Sequence, residues 1–424
     1  MRHLNRIGTD LSLAVLGHGL EKGIALVVIT LLVRHLDKVS MGQFFYAISV
    51  CSIVAMLTEF GTSRHLIRAV AVDTGHAAAH LQQVLRLRLP LLLTALVLIN
   101  VSVVLIAPSL SITFLLCSIY VLAGDLYYAF GATLLGMRAV AARSVTGLIG
   151  PCVLLALVPF AIYLQWTLEQ ILIAYALSSL LMTGISWRFT LRRVGRAVGG
   201  TGTSLRDLLR SSLPLFMLSL LMLAHARTDE IMLASLLGFS EVAAYAAAYK
   251  LAEVSRTLIR PVTMVFFPIM SVALTERSPV HYRRDARRLI GGSAAVGLLV
   301  AIVVIPLATF IVPWIFGADY REATAITQVL FLVTPALFAG QTAITVANAL
   351  RLERSAIGIV ATGVLANIVL NAMIIPQWGA IGAAYTTVAT ESLIAVGVLF
   401  VIERSLRERI GAQVDATISP ERRS

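Results

Sequence analysis

Apolar residues in this chain gather into long unbroken blocks, not into the one-sided stripes that soluble helices and strands show. No charged residue falls between Leu89 and Gly124, and none between Leu289 and Ala318. A helix that crosses a bilayer needs about 20 mostly apolar residues. The blocks predict twelve such helices, at 11–33, 40–62, 88–107, 111–135, 144–164, 171–187, 211–236, 242–272, 289–311, 324–349, 355–376 and 380–402. Several exceed 20 residues, which predicts tilt or projection beyond the membrane. The expected fold class is therefore all-α: a polytopic membrane protein of about twelve transmembrane helices. The stretch after Met-Arg-His-Leu-Asn-Arg carries no small-residue cleavage signal and is expected to stay as the first helix.

Composition agrees with the pattern. Of 424 residues, 58% are apolar and 13% charged, about half the charged share of a soluble domain. The net charge is +12, which on a soluble chain would suggest nucleic acid. Its distribution gives another explanation. With the N-terminus in the cytoplasm, 26 of the 34 Lys and Arg fall in or beside cytoplasmic connections and three (Arg34, Lys38, Arg321) in outer ones. This asymmetry is the positive-inside rule, and it predicts an even number of spans with both termini inside. No nucleic acid is needed. Cys51, Cys117 and Cys152 sit inside apolar runs without Cys-x-x-Cys spacing and read as small packing residues.

The longest expected connections are the cytoplasmic ones at 63–87 and 188–210, and the sequence leaves no room for a soluble domain. The second carries Val-Gly-Gly-Thr-Gly-Thr-Ser at the middle of the chain. It divides six helices from six, giving expected bundles of 1–200 and 201–424 around a central cavity. A short motif recurs after helices 1 and 7, with a small residue, a spacer and an aromatic at Gly42/Phe44 and Ala243/Tyr245. Six-helix repeats are a transporter pattern.

Four stretches carry a family resemblance: Met-Gly-Gln-Phe with Glu-Phe-Gly-Thr-Ser-Arg-His-Leu-Ile-Arg within 41–68; Ser-Leu-Pro-Leu-Phe, Arg-Thr-Asp-Glu-Ile-Met-Leu and Tyr-Ala-Ala-Ala-Tyr-Lys-Leu within 212–251; Phe-Gly-Ala-Asp-Tyr-Arg-Glu-Ala at 316–323; and Trp-Gly-Ala-Ile-Gly-Ala-Ala-Tyr at 378–385. In these the chain resembles the polysaccharide-unit (O-antigen/exopolysaccharide, Wzx-like) flippases of the multidrug/oligosaccharidyl-lipid/polysaccharide exporter superfamily. The resemblance implies a multi-pass protein of the bacterial cytoplasmic (inner) membrane. It implies alternating-access export of oligosaccharide carried on undecaprenyl diphosphate for surface polysaccharide biosynthesis. The implied partners are that lipid, membrane lipids, H+ or Na+, and polysaccharide polymerase or export proteins. No cofactor and no metal are implied. Twelve spans favour this branch over the lipid II flippases, which usually have about fourteen.

Charged residues inside the spans are the informative ones, because each costs roughly 2.5–3.5 kcal/mol at mid-membrane unless it faces a partner or water. On helix 8, Lys250, Glu253, Arg256, Thr257 and Arg260 fall within about a 120° arc, a polar face that cannot meet lipid. Glu253 can pair with Arg256 at i+3, leaving a cationic surplus suited to a diphosphate. Helix 1 places His18, Glu21 and Lys22 near its midpoint, and helix 7 carries His225, Arg227, Asp229 and Glu230. Since helices 1, 7 and 8 line the cavity in the superfamily, the expected substrate-binding set is Lys22, Arg227, Lys250, Arg256 and Arg260. The alternative for each is an ion pair that locks a bundle. Asp125, Asp229, Glu230, Glu253 and Glu391 are candidates for ion coupling, or equally for bonds to neighbouring helices. Asn348, Asn367 and Asn371 read as packing hydrogen bonds.

Two other functions fit the topology. A drug or cation antiporter of the same superfamily would share the fold but favours an acidic cavity. A membrane glycan polymerase or ligase would normally carry a large catalytic loop, and none is present. No nucleotide-binding, serine-hydrolase or metalloprotease motif occurs, so a non-enzymatic role is expected.

Overall fold

The structure is a computed structural model. It describes residues 2–195, 205–259, 263, 266, 270, 273–274, 278–350 and 352–418. Among these residues there is no strand. In a bilayer every backbone N–H and C=O must be satisfied within its own segment or in a closed barrel, so apolar blocks of this length become helices.

The described packing resolves into two compact units, residues 1–246 and 247–424. The first contains α1 (Arg2–His35), α2 (Lys38–Glu59), α3 (Thr62–Val72), α4 (Ala77–Ile106), α5 (Ser111–Gly136), α6 (Val140–Tyr163), α7 (Leu168–Val194), α8 (Leu205–Leu236) and the start of α9 (Phe239–Arg256). Within it α5 packs along α7, α1 along α6, and α2 against both α5 and α8. The second contains the end of α9, then α10 (Pro279–Phe316), α11 (Glu322–Leu332), α12 (Thr334–Ala349) and α13 (Glu353–Ile418). Here α10 and α13 both pack on α12.

Among the described residues eight helices are long and apolar enough to cross a membrane, and the pair α11–α12, bent by 45°, makes a ninth. α13 has 66 residues and would run about 100 Å at 1.5 Å per residue, three bilayer cores long. It breaks at Gly379, whose φ of 58° and ψ of −145° are non-helical. The two pieces match the expected spans 355–376 and 380–402. The expected spans 211–236 and 242–272 are not in the set. α8 covers the first, but His225, Arg227, Asp229 and Glu230 interrupt its apolar run. The second stops early: α9 ends at Arg256 in a turn through Ile259, closed by Thr257 N–H to the Val254 carbonyl and Leu258 N–H to the Ser255 carbonyl, each 3.0 Å. Most of the segment 260–277 lies outside the described residues.

The expected 63–87 connection is helical instead of a loop. α3 is a short amphipathic helix that buries Leu66 and Val70 against Phe130, Ala132 and Leu208 while Arg64 and Arg68 stay exposed. α4 begins at Ala77, well before the apolar block. The reason is local: apolar residues at i and i+4 give this charged stretch a face to bury.

Single residues set the joints. Asp37 caps α2, accepting from Ser40 N (3.0 Å) and Ser40 Oγ (2.6 Å). The Ser40 hydroxyl bond holds the Asp37 carboxyl below the usual carboxylate range. A capping box of Thr167 and Gln170 starts α7. At Gly42 a Cβ would lie 1.8 Å from the Phe239 carbonyl oxygen, so the glycine is what lets α2 touch the start of α9. The repeated motif residues Phe44, Ala243 and Tyr245 are all fully buried in this same unit. Outward faces are uniformly apolar: Leu93, Val97, Val101 and Leu105 on α4, and Leu299, Ile302, Phe310 and Trp314 on α10, are all exposed. A water-soluble protein does not tolerate such surfaces; lipid covers them. Cys51 and Cys117 are buried as expected, whereas Cys152 faces outward.

Candidate functional site

Ionisable side chains inside apolar helices must find partners, and the structure shows which they find. In the first unit they form three groups. On α8, Asp229 and Glu230 are both fully buried. Ser49 of α2 and Arg227 donate to Glu230, the latter from Nη1 at 3.3 Å, and the Tyr245 hydroxyl of α9 donates to Asp229. The i, i+3 pair of Arg227 with Glu230 thus forms as the spacing suggests. His225 is buried on the same helix.

The second group centres on Arg88, 0% exposed. Its Nε donates to Thr62 Oγ1 (2.7 Å), and Nη2 to Glu59 Oε1 (2.9 Å) and Ser63 Oγ (2.7 Å). Nη1 reaches the Asp125 backbone carbonyl at 3.2 Å and its carboxyl oxygens at 3.4 and 3.5 Å. Glu59 also accepts from Gly61 N (2.7 Å) and Ser63 N (2.8 Å). Asp125, a coupling candidate, therefore sits in an arginine-centred cluster and is not a lone acid.

The third group gathers where α1, α5 and α6 meet. Arg143 donates to the Tyr127 hydroxyl and lies 4.5 Å over its ring. Cβ atoms built at Gly131 and Gly147 would fall 2.6 Å from the Arg143 guanidinium, and the one at Gly147 would be 3.2 Å from Glu21 Oε2. Both glycines leave room for this group. His18 approaches Glu21 at 3.9 Å, and Lys22 is half-buried beside it.

The second unit holds its ions in more open positions. Lys250 Nζ bonds Glu253 Oε2 at 2.8 Å, with the two side chains 27% and 29% exposed. Arg256 Nη2 bonds Glu391 Oε1 of α13 at 3.1 Å, at 26% and 13%, and its guanidinium lies 5.4 Å over the Tyr249 ring. Asn371 Nδ2 donates to Asn367 Oδ1 at 3.1 Å and Thr386 donates to Asn371, which is the packing role expected of both asparagines. An open, mostly apolar groove of about 580 Å³ runs beside α10, lined by Leu258, Phe266, Met270, Gly292 and Val296 among others, with Asp285 and Arg288.

Two expectations change. Glu253 accepts from Lys250, and Arg256 reaches Glu391, 135 residues away in the chain. Each described cation of the α9 face thus has a carboxylate partner, one on α9 itself and one on α13. Arg260 lies outside the described residues. Two arginines that bond inside the first unit, Arg88 fully buried and Arg143 partly so, were also missed. Arg88 and Arg143 count as cytoplasmic loop charges by position, but the helices begin earlier than the apolar blocks and carry both inward. The one available signal was the alternation Leu-Arg-Leu-Arg-Leu-Pro at 85–90.

The chain matches the family model described as "Polysaccharide biosynthesis protein" over residues 7–274. Similar solved structures span nearly its full length. An inward-facing multidrug resistance MATE family transporter of the MOP superfamily is 17% identical with a TM-score of 0.71, over 92% of this chain and 95% of that one. The lipid II flippase MurJ, in an inward closed conformation, is 12% identical with a TM-score of 0.69, over 94% and 90%. A MOP superfamily transporter from Pyrococcus furiosus, whose description notes a binding pocket of reverse polarity, is 16% identical with a TM-score of 0.66, over 94% and 95%. No curated protein matches. The fold is thus that of the MATE and MurJ transporters, and with more than half of its residues under the matching model, the chain belongs to the polysaccharide biosynthesis protein family.

Proposed function

We propose that this protein is a membrane transporter that flips undecaprenyl-diphosphate-linked oligosaccharide across the bacterial inner membrane by alternating access, with both termini cytoplasmic. Family membership and the shared fold support transport of a lipid-linked glycan. The observation that carries the substrate reading is that two ion pairs, Lys250–Glu253 and Arg256–Glu391, have cations about a quarter exposed. A diphosphate outcompetes a single carboxylate for a guanidinium or ammonium group through extra charge and bidentate bonding. Partly exposed pairs can exchange partners; fully buried ones cannot without a large penalty. Displacing Glu391 would also loosen the link between α9 and α13, and each released carboxylate could then take up H+ or Na+. The apolar groove beside α10 gives a prenyl chain a place to lie.

The test is flipping of undecaprenyl-diphosphate oligosaccharide in proteoliposomes, comparing the native protein with Lys250→Ala and Arg256→Ala. Flipping that both substitutions abolish supports the proposal. Export of a dye cation with no lipid-linked sugar movement would establish the antiporter reading instead.

A further inference from the structure

The cluster around Arg88 holds one cation and two carboxylates, all sequestered: the side chains of Arg88, Glu59 and Asp125 are 0%, 15% and 6% exposed. Two ionised acids would leave a net negative charge in a low-dielectric interior, which is strongly disfavoured. One proton restores neutrality. The contacts show where it sits. Glu59 receives a 2.9 Å bond from Arg88 and backbone bonds from Gly61 and Ser63, three donors directed at one carboxyl group. Asp125 receives only long contacts from Arg88, 3.4 and 3.5 Å. Charge-assisted N–H···O bonds run about 2.7–2.9 Å, so a negative charge on Asp125 would be the less well compensated of the two.

The charged groups facing Asp125 are Arg88 from α4 and Glu59 from α2. α3 adds the Thr62 and Ser63 hydroxyls. α7, packed along α5, directs Ser179 and Thr183 to the backbone carbonyls of Tyr120 and Ala123. Arg143 and Glu21 meet α5 at Tyr127, about 200° around the helix from Asp125.

We infer that Asp125 is a proton-binding site, and that loss of its proton draws Arg88 away from Glu59 and Ser63 and so loosens the α2–α3 corner. That corner is built to respond. Phe60 and Gly61 both hold left-handed backbone, with φ of 48° and 69°. Phe60 stacks on Phe216 of α8 at 4.3 Å, and a Cβ at Gly61 would meet the Ser212 carbonyl oxygen at 2.9 Å. Protonation of Asp125 is thereby linked to α8, the helix that carries Arg227, Asp229 and Glu230. The link gives the proposed transporter a proton as coupling ion, and it rests on that reading for its purpose but not for its chemistry.

The experiment needs no sugar substrate, so it stands or fails apart from the cargo. The purified full-length protein in lipid is followed by infrared difference spectroscopy through a pH titration, with hydrogen exchange of the 59–63 amides read in parallel. The expected result is a protonated-carboxyl stretch that titrates with pH and that Asp125→Asn removes. Exchange at 59–63 should rise as that band titrates in the native protein and stay pH-independent in Asp125→Asn. Glu59→Gln, which removes the excess negative charge, should move the titration to lower pH by about one unit or more. A native spectrum without a band that Asp125→Asn removes would overturn the inference. So would a band that titrates with no change in exchange at the corner.

Discussion

The Arg88 cluster and the Arg256–Glu391 pair use the same chemistry in opposite settings. Arg88 is sealed, with every N–H group directed at an oxygen of α2, α3 or α5. Arg256 is a quarter exposed and reaches Glu391 across helices. Exposure separates their roles. A sealed guanidinium can shift only among the oxygens of its own cluster and cannot take a ligand from outside, so it organises the fold. A partly exposed one can trade its partner for a ligand arriving from water at smaller cost, so it can bind and release.

The sharpest way to break this comparison is Arg88→Ala. Leaving Glu59 and Asp125 buried without their cation should cost about 3–5 kcal/mol, read as a large drop in melting temperature in detergent. Arg88→Lys should rescue only part, since one ammonium cannot serve five directions. Arg256→Ala is the counterpart. It should cost no more than about 1 kcal/mol in the same melt, in keeping with a partly solvated pair, while lowering lipid-linked sugar flipping at least about tenfold. Equal melting losses for the two variants would erase the distinction.

Smaller effects refine it. Glu253→Gln takes the carboxylate from Lys250 and should tighten binding of undecaprenyl diphosphate by about 3–5-fold, measured by lipid binding in nanodiscs. A comparable effect is expected at an exposed site outside both clusters, where Asp37→Ala removes the α2 cap and should cost about 1 kcal/mol. Its pH dependence has a definite sign. The folded carboxyl lies below its ordinary range, so the cap's contribution is complete at neutral pH. It fades as acid carries the pH down through that range. Melting of the native protein and Asp37→Ala should therefore converge in acid.

Much of the fold was legible because hydropathy acts locally. The blocks at 111–135 and 144–164 became α5 and α6 almost residue for residue. The misses lie where charged residues border the blocks. Hydropathy placed 63–87 outside any helix, although its polar residues occupy one side of α3 and its apolar ones the other. The same boundary error put Arg88 and Arg143 in loops. The i, i+3 pairing of Arg227 with Glu230 was readable from helical geometry, as was the three-residue spacing of Lys250 and Glu253. The reach of Arg256 to Glu391 was not, because it depends on how α9 and α13 pack.

The sequence by itself determined the solvent and the secondary structure. A chain 58% apolar and 13% charged must live in a bilayer, and there its backbone must close its own hydrogen bonds as helices. Only the tertiary structure decided how the buried charges are partnered. Glu59 and Asp125 share Arg88 from different helices, and Arg256 meets Glu391 135 residues along the chain. Coulomb attraction acts through space and grows as water is excluded. The pairing of charges, and with it the division between structural and exchangeable cations, therefore follows from how the helices pack and not from their order in the chain.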